Sequence, residues 1–162
     1  MSEYDPDLLS FLKEIKKQNK PIALVTGVFD LLHPGHLLFL QKARERSHQL
    51  GGHLLIGLES DFRVKQLKGE SRPINSQQVR KQQLQETNLA ELVFILPTDF
   101  SQEQSRVNLL KLIKPQLMLV STSTPNLEKK SEMLAKIGGK LEIICDHQQQ
   151  YSTTDIINNG LL

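Results

Sequence analysis

The feature that most constrains this chain is an alternation. Short apolar runs bounded by Gly or Pro are each followed by a longer segment with apolar residues at helical spacing. The first run, Ile22-Ala23-Leu24-Val25-Thr26, follows Pro21 and ends at Gly27. Four more lie at 54–58, 92–96, 116–120 and 140–145. Runs this short, without polar alternation, suit strands buried on both faces. Between them 34–46, 76–89, 101–113 and 127–137 read as helices, and Gly51-Gly52 is placed to stop the first. Leu8, Leu9, Phe11, Leu12 and Ile15 give 5–17 a helical stripe ahead of the first strand, and a short helix is expected from Ser152. The expected fold class is therefore α/β: a Rossmann-like, doubly wound, parallel five-stranded sheet with helices on both faces, in a single domain. Residues 1–20 are expected to be an N-terminal helical extension, and 21–162 the domain proper.

Composition narrows the function. Of 162 residues, 38% are hydrophobic and 23% charged, as in a globular chain, and the formal net charge is only +2. So slight an excess gives no reason to expect a nucleic-acid or membrane surface. One cysteine, Cys145, excludes an internal disulfide framework and a four-thiolate zinc site; at a strand end it reads as packing. No apolar run nears the ~18 residues of a membrane helix, and the charged start is unlike a secretory signal. A soluble, cytoplasmic protein is the expectation.

In doubly wound sheets, ligands sit beyond the carboxyl ends of the strands, where strand order reverses. The first strand runs into Gly27-Val28-Phe29-Asp30-Leu31-Leu32-His33-Pro34-Gly35-His36, which opens a helix. A helix amino end carries free N–H groups and partial positive charge, and both attract phosphate. His33 and His36 share one side of the first turn, and each can donate a hydrogen bond to a phosphoryl oxygen. The same pair also suits an ordinary helix start, one ring capping and one facing solvent. No third ligand stands at a zinc spacing, so no metal-binding residue is expected.

The segment GVFDLLHPGH resembles the HxGH signature of the small nucleotidyltransferases, in the branch of the cytidylyltransferases and the heptose-phosphate adenylyltransferase domain. Glycerol-3-phosphate cytidylyltransferase is a second near relative by this likeness. The resemblance runs from about Pro21 onward through LKGESRPIN at 67–75, Arg80 in QQVRKQQL, IGGKLEII at 137–144 and YSTTDII at 151–157. It implies transfer of AMP or CMP from ATP or CTP to a phosphorylated small molecule, a sugar or polyol phosphate, with release of pyrophosphate. Such chemistry asks mainly for positioning and for positive charge around the reacting phosphates.

By that resemblance His33 and His36 are catalytic, with Lys65 and Lys68 as flap lysines. Gly27, Val28, Phe29, His33, His36, Arg80, Ser152, Thr153 and Thr154 would bind the nucleotide. Asp30 and Lys68 would face the acceptor, although Asp30 equally suits a turn cap. Residues 63–73 are expected to form a mobile basic flap, with Arg72 pinning it beside Pro73. Magnesium would arrive with the triphosphate, and relatives commonly form homodimers.

Three stretches depart from the family pattern. Val120-Ser121-Thr122-Ser123-Thr124-Pro125-Asn126 stands where relatives carry KGGDY-like or GDDW-like segments. His147-Gln148-Gln149-Gln150 lacks a fixed charge, and Asn158 and Asn159 stand where many relatives have Lys or Arg. Two readings remain: an enzyme with an altered acceptor pocket, or a nucleotide-binding regulatory or scaffold module without turnover. Retention of both imidazoles, both lysines, Arg80 and the hydroxyl triplet favours the enzyme.

Overall fold

The computed structural model describes residues 3–146. Its elements follow the expected alternation: α1 (Pro6–Ile15), β1 (Ile22–Gly27), α2 (Pro34–Gln49), β2 (His53–Leu58), α3 (Asp61–Lys68), α4 (Gln77–Glu86), β3 (Leu92–Ile95), α5 (Glu103–Ile113), β4 (Leu117–Ser121), α6 (Leu127–Ala135) and β5 (Lys140–Cys145). All pairings in the sheet are parallel, in the order β3-β2-β1-β4-β5. The chain works outward from β1 to β3, then crosses back to lay β4 on the other side of β1. The order therefore reverses between β1 and β4, and a crevice opens beyond their carboxyl ends.

Alternation along β1 feeds two cores. Ile22 and Leu24 join α1, α5 and α6 through Leu8, Leu12, Leu109, Ile113 and Leu134. Ala23 and Val25 join α2 and α4 through Leu40, Ala43 and Leu84. Period-two side chains on a sheet covered by helices require this division. The helix at 6–15 is thus part of the main core, packed beside β3. Its cap, Asp5, also accepts the Ile95 N–H and the Lys81 ammonium.

The basic flap differs from its expectation. Residues 61–68 are a helix, because the Ser60 side chain caps it through the Arg63 N–H and Val64 is fully buried beneath it. Gly69, at φ 101°, then turns the chain out of α3, a conformation that favours glycine. The helix expected from Ser152 lies outside the described residues.

Replacing Leu8, 1% exposed, by Ala should cost about 2–5 kcal/mol in urea unfolding. A loss within ~0.5 kcal/mol, as for a surface site, would show that the first helix does not share the main core.

Candidate functional site

His33 caps α2. Its Nδ1 accepts the N–H groups of Gly35 at 3.1 Å and His36 at 3.3 Å. An accepting Nδ1 assigns the neutral ring's proton to Nε2. That Nε2 is buried and has no hydrogen-bond partner. The His36 ring stacks on His33 with centroids 3.7 Å apart and planes 20° from parallel. Phe29 meets the other imidazole edge-on, at 5.2 Å from His36. Neither histidine is the solvent-facing helix residue of the plain alternative.

The Phe29 backbone occupies the left-handed region at φ 47°, a conformation that costs on the order of 1 kcal/mol in a non-glycine residue. Burial against the imidazoles and the β1 turn holds it there. Gly27 makes room for that ring, since a Cβ at this position would lie 2.7 Å from Phe29 Cε2. The glycine, the aromatic and the two imidazoles are thus one packed column.

Burial controls the charge of that column. His36 is pushed down to about 4, first by burial and then by the adjacent His33 ring. The Leu31 carbonyl opposes this shift and Lys68 adds to it. Burial also lowers His33. Both rings are neutral at pH 7 without ligand, and a nearby anion would favour their protonated forms.

Thr26, Gly27, Val28, Phe29, His36 and Lys68 line a crevice of about 430 Å³ with the turn after β4. The site residues Gly27, Val28, Phe29, His36 and Lys68 therefore meet around one space. Lys65, one turn earlier on α3, is exposed and does not line it. Ser152, Thr153 and Thr154 lie outside the described residues, as do 147–150, Asn158 and Asn159.

Two charged residues sit where charge alone did not place them. Asp30, expected to face the acceptor, is 0% exposed. Its carboxylate accepts Arg72 Nε at 3.1 Å, the Ile74 N–H at 2.8 Å and the Asn75 N–H at 2.9 Å. Each carboxylate oxygen thus accepts at least one bond, and Asp30 latches the 72–75 segment under the loop after β1 instead of lining the crevice. Arg72 is the pinning residue expected. Arg80 is also 0% exposed, and its donors go to the carbonyls of Asn75, Val28 and Glu59 and to Asp61 Oδ1. In the structure Arg80 is a strut joining three segments around the crevice: the loop after β1, the β2–α3 connection and the residues before α4. A buried guanidinium needs such partners.

A second lobe of about 450 Å³ adjoins the crevice and shares Thr26, Glu59, Leu67, Pro125 and Lys130 with it. Arg63 and Arg106 also line it. Sequence reasoning missed Glu59, Arg106 and Lys130 and gave Arg63 no individual role. The available signal was Glu59's place directly after β2, at a carboxyl strand end. The turn after β4 bonds to itself, with Ser121 Oγ 2.9 Å from Ser123 Oγ and the Ser121 N–H donating to Thr124 Oγ1. Among the described residues, no cluster of three or more His, Cys, Asp or Glu forms a metal site. No described helix is long and apolar enough to cross a membrane.

A model of the cytidylyltransferase-like family matches residues 24–159. The chain belongs to that family. It is 34% identical to the bifunctional protein HldE of Campylobacter jejuni subsp. doylei over 151 residues, 93% of this chain and 29% of that protein. It is 35% identical to HldE of Pelobacter propionicus over 157 residues, 96% of this chain and 30% of that one. This cytidylyltransferase-like chain thus spans about 30% of the length of these relatives. Among solved structures, the lipopolysaccharide core biosynthesis protein from Thermoplasma volcanium GSS1 superposes with TM-score 0.59 at 21% identity, covering 82% of this chain and 98% of that one. At that identity the likeness concerns the fold.

Asp30→Ala should lower stability by about 3–5 kcal/mol, because it removes the buried carboxylate that accepts from Arg72 Nε and from the Ile74 and Asn75 N–H groups. A loss below ~1 kcal/mol in chemical unfolding would contradict the latch.

Proposed function

We propose that the chain transfers a nucleotidyl group from ATP or CTP to the phosphate of a small sugar or polyol phosphate and releases pyrophosphate. The observation that carries this reading is the stacked His33–His36 pair at the amino end of α2, beside a crevice lined by Lys68. An unpartnered Nε2–H, a helix amino end and an ammonium group all suit a polyphosphate. Family membership supports the same chemistry, and the LKGESRP segment leans the donor towards ATP by resemblance.

In the step proposed, an acceptor phosphate oxygen attacks the α-phosphorus in line. The new P–O bond forms as the bond from the α-phosphorus to the bridging oxygen breaks. The electron pair of the breaking bond leaves on pyrophosphate. Charge grows on the α-phosphoryl and leaving oxygens, where hydrogen bonds from His33 and His36 strengthen most. Magnesium enters as part of the triphosphate substrate. Lys68, at the end of α3, would close on the phosphates, and Lys65 would reach them by a movement of that helix about Gly69. Ser152, Thr153 and Thr154 are the proposed β- and γ-phosphate ligands.

His36→Ala should cut pyrophosphate release by about two to three orders of magnitude, with nucleotide affinity changed far less and the circular dichroism spectrum unaltered. The assay uses ATP–magnesium and CTP–magnesium with a panel of sugar and polyol phosphates. Equal turnover in variant and parent would overturn the mechanism. Nucleotide binding by the parent without pyrophosphate from any pair would instead support a binding module.

A further inference from the structure

The lobe beside the imidazole crevice has an unusual charge arrangement. Glu59, half-buried directly after β2, holds its Oε2 buried without a hydrogen-bond partner. Arg63, Arg106 and Lys130 surround the same space from α3, α5 and α6. Among the described residues, none of them comes within the 4.0 Å of a direct ion pair with Glu59. Arg63 Nε is likewise buried and unpartnered. Arg106 is fixed through Nη1 alone, on the carbonyls of Phe100 and Ser101. Burial raises Glu59 despite these cations, while burial and then Arg106 lower Lys130. The charges therefore face one another across a gap of ligand size.

A buried, unpaired polar group is costly, and an excess of one charge is costlier. Four basic side chains line the lobe against the one carboxylate of Glu59, and among the described residues only Lys129 of the four has an ion-pair partner, Glu103 at 3.6 Å; the floor is formed by Leu24, Met118 and Met133. A matching group brings negative charge for the cations, a hydroxyl for Glu59 Oε2 and carbon for the floor. Building on the proposed transfer reaction, we infer that the acceptor carries a second anionic group, a carboxylate or a second phosphate, remote from the phosphate that reacts. Arg63, Arg106 and Lys130 hold that group, and Glu59 accepts from an adjacent hydroxyl. The shared wall at Thr26, Glu59 and Lys130 lets one molecule span both lobes.

The test is calorimetric binding to the full chain of two matched pairs: 3-phosphoglycerate against glycerol 3-phosphate, and glucose 1,6-bisphosphate against glucose 1-phosphate. In at least one pair the doubly anionic member should bind at least about tenfold tighter, in line with a charge-assisted contact. Arg106→Gln and Lys130→Met should each reduce that ratio at least about threefold. A preference confined to the first pair identifies a carboxylate, and one confined to the second a phosphate. Ratios near one in both pairs, no binding of any of the four, or a preference that survives both substitutions would overturn the inference. Pyrophosphate release, measured separately with the same compounds and ATP or CTP, reads the transfer reaction itself. A charged-member preference without release therefore counts against the reaction and leaves the subsite standing.

Discussion

The cap that His33 places on α2 is the interaction on which the site depends. Because Nδ1 accepts the N–H groups of Gly35 and His36, the helix begins there and the ring can present only Nε2 as a donor. The same cap brings His36 over it at 3.7 Å, and Phe29 closes the column from the side. A helix cap, a fixed tautomer and a buried, unpartnered donor come from one imidazole. Burial favours the neutral form of both rings, and a bound anion would favour the charged form. In the proposed reaction, growing negative charge then strengthens each hydrogen bond without further rearrangement of the protein.

The loops around this column are held by buried charge. Asp30 gathers Arg72, Ile74 and Asn75, while Arg80 gathers Val28, Glu59, Asp61 and Asn75. Both centres meet at Asn75, so the loop after β1, the end of β2 and the start of α4 cannot shift independently. Such networks specify geometry when each member is satisfied. They also explain why a strained backbone at Phe29 persists: its surroundings over-determine it.

The strands and the position of the crevice were legible because period and boundary residues act locally. β5 at Lys140–Cys145 matches the expected span, and the other strands differ by a residue or so at their ends. α3 was not legible, since Arg63-Val64-Lys65-Gln66-Leu67-Lys68 has no apolar stripe and only Val64 is buried. Asp30 and Arg80 were assigned to ligands because a sequence reports charge and not burial. Their partners lie 42 and 52 residues away, at Arg72 and Val28. The cluster of Glu59, Arg63, Arg106 and Lys130 was invisible for the same reason, being assembled from separate elements. It borders the turn after β4, one of the stretches where the chain departs from the family pattern.

The central claim is that the stacked imidazoles are neutral when the crevice is empty and take up positive character when a polyphosphate enters. Nuclear magnetic resonance titration of the labelled histidines, without nucleotide and with saturating ATP–magnesium or CTP–magnesium, reads this directly. The account predicts that His36 titrates near 4 in the free protein and shifts upward with nucleotide bound, with His33 moving in the same direction. Titration of both rings at the same pH with and without nucleotide would contradict it.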